Sequence, residues 1–229
     1  MNVARAIDTI QSSADVRIPL ERMVSFGNDL NVLTEIYKDN CNMTVWQRKL
    51  CKSLVQSIKK DIIEHNFLDS VLLVGANNIE NDISHIARNK NYGEALRQHI
   101  HEVIDMFCVL FDLKKAGLRL GVQKKAMCPR FHIDRVPCRL ITTFCGKGTQ
   151  WLAHDKVNRV KLGAGSAGLP DEISGLYNKQ SDIQQLSTGD VALLKGELWE
   201  GNEGGALVHR SPPLEAEERR LVMTLDIIN

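Results

Sequence analysis

Apolar positions change their rhythm halfway along the chain. From Thr44 to Phe67, Trp46, Leu50, Leu54, Ile58, Ile62 and Ile63 recur at close to 3.6 residues, the spacing of one helix face. Asn42 or Thr44 is a suitable cap for that helix. Asn77 to Arg88 reads as a shorter helix. Tyr92 to Lys115 reads as a longer one, with Ala95, Ile100, Ile104, Phe107, Cys108 and Phe111 on its apolar side and Gly117 as its stop. Before these, only Leu30 to Lys38 suggests a helix.

The later part of the chain is written in short runs of Val, Leu, Ile and Thr, bounded by Gly, Pro and Asn. Leu118 to Val122, Arg139 to Phe144, Asp190 to Lys195 and Arg220 to Ile228 are predicted strands. Lys161 to Gln184 is a polar, Gly-rich insert, of the kind that serves as a lid. Helices followed by strands predict an α+β fold, with a helical layer on a β-sandwich or barrel. The expected division is a helical region over 1–117 and a strand-rich core over 118–229. No internal repeat or low-complexity block interrupts it.

Composition narrows the class. The chain has 229 residues, 43% hydrophobic and 25% charged, with a formal net charge of +1. These are ordinary globular values, and the balance of charge gives no general reason to expect nucleic acid. Six cysteines are dispersed without a C-x-x-C pair, unlike a disulfide framework. Met1 to Asp15 lacks the pattern of a signal peptide, and Val103 to Leu113 is too short to span a bilayer. The expectation is a soluble, cytoplasmic protein with reduced thiols and no membrane association.

Three histidines, His132, His154 and His209, lie in the strand-rich half, and two of them are candidate metal ligands. His132 and Asp134 stand two apart in CPRFHIDRVP, so an extended backbone points both the same way. His209, in ALVHRSPP, supplies a second imidazole from a distant strand. Two His and one carboxylate on one face leave coordination positions open, an arrangement that suits non-haem Fe(II). It can also hold Zn(II) with a water ligand. Arg220 opens the strand RLVMTLDII and shares a face with Val222 and Thr224, whereas Arg219 points outward.

Several neighbours have competing readings. Cys128 could bring sulfur to the metal, which would favour zinc, or line the pocket. Cys138 and Cys145 read as core. Arg130, Arg135, Arg139 and Arg210 crowd the two ligand segments, suggesting an anionic substrate or pairing with Asp155, Glu197, Glu200 and Glu203. Arg139, Trp151 and Cys128 are pocket candidates, and Trp199 a further one at the mouth. His154 and Asp155 are adjacent and chelate less readily. Ser211 lies near His209, but no G-x-S-x-G elbow exists, and GAGSAG lacks the lysine of a P-loop.

The order H-x-D, a Gly-Asp-led strand, His and then Arg resembles the Fe(II)/2-oxoglutarate-dependent oxygenases. That resemblance covers roughly 118–229. It implies a double-stranded β-helix, or jelly-roll barrel, behind an N-terminal helical layer. It also implies iron on His132, Asp134 and His209, with 2-oxoglutarate held by Arg220. The strings CPRFHIDRVPCRL, GTQWL and ALVHRSPP are also similar to those of an uncharacterised bacterial family of about this length. Its genes resemble neighbours of zinc-responsive metal chaperones, which implies a link to metal homeostasis. Three functions follow as expectations: an oxygenase acting on an unidentified substrate, a non-catalytic zinc-binding module using the same site, and an interaction domain without metal.

Overall fold

The computed structural model describes residues 21–64, 70–84 and 93–228. Among the described residues, ten strands and three α-helices follow one another as β1 (Met23–Gly27), β2 (Cys41–Trp46), α1 (Lys52–Glu64), β3 (Ser70–Gly75), α2 (Ile79–Ile83), α3 (Gly93–Leu110), β4 (Lys115–Gln123), β5 (Cys138–Cys145), β6 (Gln150–Leu152), β7 (Ile183–Gln185), β8 (Val191–Lys195), β9 (Val208–Arg210) and β10 (Arg220–Ile227). A 3₁₀ helix over Leu30–Tyr37 separates β1 from β2. Seven strands form one sheet in the order β1-β2-β8-β5-β10-β4-β3. A second sheet has the order β7-β6-β9.

The large sheet is covered on both faces over much of its width. Its outer face carries Val191 and Leu193 of β8, Cys138, Leu140 and Phe144 of β5, and Leu221, Met223 and Leu225 of β10. These pack against Leu54, Ile58 and Ile62 of α1 and Ile100, Ile104 and Phe107 of α3. Its inner face presents Met43, Val45, Ile141, Ala192, Leu194 and Val222 to Trp151, Leu186 and Leu207. Alternate residues of a strand meet opposite layers, so the central strands read as unbroken apolar runs. The helices therefore pack on one face of the sheet, and the fold is a sheet-rich α+β arrangement.

The first half differs from its predicted form. The 3.6 spacing continues back to Trp46 by coincidence, because β2 ends there and α1 begins at Lys52. Thr44 lies within β2 and caps nothing. The long helix stops at Leu110, not near Gly117, which sits inside β4 beneath the Ile228 side chain. The helix expected from Asn77 is the short α2. The ends expected at Phe67, Arg88 and Tyr92, and the segment Met1 to Asp15, lie outside the described residues. Three strands of the large sheet come from residues 1–117, and β4 straddles the division expected after 117.

The insert from Lys161 to Gln184 also differs from expectation. Leu162, Leu176, Tyr177 and Ile183 pack on Leu152 and Val208, on the back of the small sheet. Trp151 and His209, one residue along, face the other way and are register partners. The insert thus braces the small sheet from behind and does not lie over its inner face. No described helix is long and apolar enough to cross a membrane.

Candidate metal centre

His132 and His209 are brought together by the backbone. His132 N–H donates to the His209 carbonyl, and His209 N–H donates to the His132 carbonyl, both at 3.0 Å. Directly opposed residues of an antiparallel pair project to the same side. The two imidazole rings accordingly lie 4.5 Å apart between centroids, inclined at 50°. Asp134 joins them from two residues beyond His132. Its Oδ2 is 3.3 Å from His209 Nε2, and its Oδ1 is 3.9 Å from His132 Nε2. One donor atom from each of the three residues falls within 4.8 Å of the others.

The turn carrying Asp134 is seated on the end of β8. Gly196 N–H donates to the Pro137 carbonyl at 2.8 Å, and Glu197 N–H to the Asp134 carbonyl at 2.9 Å. A β-carbon at Gly196 would stand 2.0 Å from the Val136 carbonyl oxygen. Only glycine permits that approach.

Hydrogen bonding sets the tautomers. His132 Nδ1 faces the Arg130 carbonyl at 3.0 Å, and His209 Nδ1 faces the Leu207 carbonyl at 3.3 Å. A carbonyl only accepts, so Nδ1 carries the hydrogen and the Nε2 lone pairs point towards Asp134. Burial pushes the His209 pKa down to about 4, against the pull of Asp134, so the ring is neutral at neutral pH. Asp134 Oδ1 accepts from Arg139 Nη1 at 2.8 Å, while buried Oδ2 has no hydrogen-bond partner. Two imidazole lone pairs and an orphaned carboxylate oxygen thus converge with no donor among them. The chemistry of that set fits a divalent cation, with borderline nitrogen and hard oxygen ligands.

Arg139 lines the cavity beside the triad and also holds the Asp134 ligand. Its Nε and Nη2 form a bidentate pair with Asp226 at 2.7 and 2.9 Å, and Nη1 holds Asp134. Burial opposes its charge, but the two carboxylates outweigh that and raise its pKa. A cavity of about 290 Å³ opens beside the triad. Arg220 is on its wall, 1% exposed, donating to Gln123 Oε1 (3.1 Å), Thr143 Oγ1 (3.2 Å) and Thr149 Oγ1 (2.6 Å). Its Nε has no partner, and no carboxylate pairs with it among the described residues. Burial lowers its pKa to about 10, which still leaves it cationic at neutral pH. An uncompensated buried guanidinium on a cavity wall is a receptor for an anion. Val222 and Thr224 line the same wall, while Arg219 bonds surface carbonyls.

Other expected residues are placed differently. Trp151 is core between the sheets, against Phe26, and is absent from the cavity lining. Trp199 packs with Tyr37 and Phe111 on the outer face. Cys128 lines the cavity but is outside the ligand cluster, so no sulfur joins the metal site. Arg210 and Arg130 pair with Asp171 and Arg210 also with Glu172, not with Asp155, Glu197, Glu200 or Glu203. Asp155 pairs with its neighbour Lys156, and His154 is not part of the ligand cluster. Gln123, Thr143, Thr149 and Asp226 went unremarked in the sequence. The polar Thr143 within the apolar β5, and Thr149 just before β6, are the available signal.

The family described as "Protein of unknown function (DUF1826)" matches residues 27–226. This chain belongs to the DUF1826 family. No curated protein sequence matches this DUF1826 chain significantly. Among solved structures, it is similar to the rice dioxygenase for auxin oxidation, with a TM-score of 0.50, 11% identity, and coverage of 91% of this chain and 83% of that one. It also matches the Arabidopsis thaliana dioxygenase for auxin oxidation in its 2-oxoglutarate complex (0.46, 8%, 91% and 92%). A Pseudomonas putida prolyl-4-hydroxylase matches too (0.41, 11%, 86% and 92%). At these identities the likeness concerns the fold, and the DUF1826 chain shares it with the rice enzyme.

Proposed function

We propose that this chain is a non-haem Fe(II)- and 2-oxoglutarate-dependent oxygenase built on a double-stranded β-helix. One observation carries the reading. The orphaned Asp134 oxygen facing two imidazole lone pairs shares a cavity with the uncompensated Arg220 guanidinium. A metal triad and an anion receptor on one cavity wall suit a metal-chelating dicarboxylate. The shared fold with a dioxygenase supports the same reading.

His132, Asp134 and His209 would hold the iron, with Arg139 fixing the carboxylate and two backbone carbonyls fixing the rings. Arg220 would take the far carboxylate of 2-oxoglutarate, with Thr143 and Thr149 holding the guanidinium in place. Bound iron and 2-oxoglutarate would supply the oxidising chemistry, activation of dioxygen against a substrate C–H bond. The protein's share is to position both and to keep the Arg220 end of the cavity dry.

Anaerobic addition of Fe(II) and then 2-oxoglutarate to metal-free protein tests this. A weak visible charge-transfer band should form, vanish in His132→Ala, and require about tenfold to hundredfold more 2-oxoglutarate in Arg220→Gln. No band from wild type, or an identical band in both variants, would overturn the assignment.

A further inference from the structure

The inner face of the large sheet is only partly roofed. The apolar residues that meet the small sheet come from β1, β2, β8, β5 and β10, and among the described residues none from β3 or β4. The strand register lays out the uncovered part. Arg139, Asp226, Gly117 and Leu73 form one row across β5, β10, β4 and β3. Ile141, Thr224, Arg119 and Val71 form the next. The triad stands at the β5 end of the first row through the Arg139–Asp134 pair. At the other ends, Val71 is 71% and Leu73 51% exposed, and Met127, against Arg119, is 51% exposed. The cavity that holds His132, His209 and Arg220 runs on to Val71, Arg119 and Met127.

The charges along this cavity can be matched one by one. Arg139 is neutralised by Asp226 and Asp134, and Arg210 by Asp171 and Glu172. Two guanidinium groups are left. Arg220 is one, assigned above to the cosubstrate. Arg119 is the other: its Nη1 meets only the Met127 sulfur, at 3.7 Å, and no carboxylate pairs with it among the described residues. The two are too far apart to grip one small dicarboxylate. Arg119 is level with Thr224, four residues along β10 from Arg220, which is about 13 Å of strand. A cation set in an apolar, exposed floor, opening directly on a metal site, asks for a ligand of matching shape.

We propose that the substrate of this site is an organic anion with an apolar body. It lies across β4 and β3 with its anionic group on Arg119 and its apolar part on Val71, Leu73 and Met127. Arg119 is then a specificity residue, which selects and orients the substrate while the triad acts on the end nearer β5. Exposed apolar side chains in contact with a cavity are the usual mark of a ligand surface. The inference rests on the oxygenase reading for the word substrate. The binding itself is read without iron, so either can fail alone.

The test uses the full metal-free chain and two matched pairs of probes, octanoate with octan-1-ol and 2-naphthoate with 2-naphthol. Affinities are measured by titration calorimetry on wild type, Arg119→Gln and Arg220→Gln. Arg119 is exposed, so its substitution leaves the fold intact. The expected result is at least a tenfold preference for the carboxylate of one pair in wild type, lost in Arg119→Gln and kept in Arg220→Gln. Equal affinity for charged and uncharged probes in both pairs overturns the proposal, as does absence of binding by either carboxylate. Survival of the preference in Arg119→Gln overturns it too. Loss in both variants would assign the carboxylate to the cosubstrate end and overturn it likewise.

Discussion

Asp134 is fixed from two sides at once: Arg139 holds one carboxylate oxygen, and its turn rests on Gly196. Arg139→Leu would free Asp134 and leave Asp226 without its bidentate partner. Metal affinity should fall about tenfold to hundredfold, as when an outer hydrogen bond to a ligand is removed. Competition titration against a metal-binding dye reads this directly, and Arg139→Lys should not restore it, because one ammonium cannot bridge both carboxylates. Gly196→Ala changes no ligand residue yet forces the Val136 carbonyl, and with it the turn that carries Asp134, away. It should weaken metal binding while leaving the far-ultraviolet dichroism unchanged. Unaltered affinity would show that the turn yields without moving Asp134. The ligands themselves were readable, since H-x-D is a local spacing and a strand alternates its faces. The role of Arg139 was not, because its second carboxylate lies 87 residues away and no short pattern records that pairing.

At the scale of elements, β4, β5, β8 and β10 were readable because their apolar runs are bounded by turn residues, whereas β6, β7 and β9, three residues each, are too short to show a period. β2 and β3 escaped for different reasons. β2 flows into a loop whose Leu50 continues the spacing of α1, so strand and helix share one apparent period. β3 is an edge strand whose Val71 and Leu73 are exposed, so its apolar run does not alternate with polar residues. The insert behind the small sheet reads as a polar lid in sequence because its buried anchors are polar as well as apolar. Asp171 accepts from Phe131 N–H at 2.7 Å and pairs with Arg210 and Arg130. Asp171→Ala would leave the buried Arg210 with the exposed Glu172 as its one carboxylate and strip the Phe131 amide of its acceptor. A loss of about 2–4 kcal/mol is expected by urea denaturation. A change under about 0.5 kcal/mol, the size of an ordinary surface substitution, would mean that the insert can leave without consequence.

For the whole molecule, the large sheet separates two tasks. Its outer face carries most of the apolar core and its inner face carries the site. Phe107→Ala, on the outer side, should cost about 3–5 kcal/mol in stability. Metal affinity measured below the unfolding transition should be unchanged. Metal binding itself should raise the melting temperature, by about 2.7 kcal/mol of stabilisation at a hundredfold excess over Kd, and the rise should vanish in His132→Ala. The paired amides of His132 and His209 add a timing element. Each N–H is tied to the other residue's carbonyl, so neither can trade its proton for deuterium until the two segments part. Hydrogen exchange at these two sites is therefore a stopwatch for the opening of the jaw that carries the imidazoles. In metal-free protein both should exchange at one common rate, and a bound ion should slow them together.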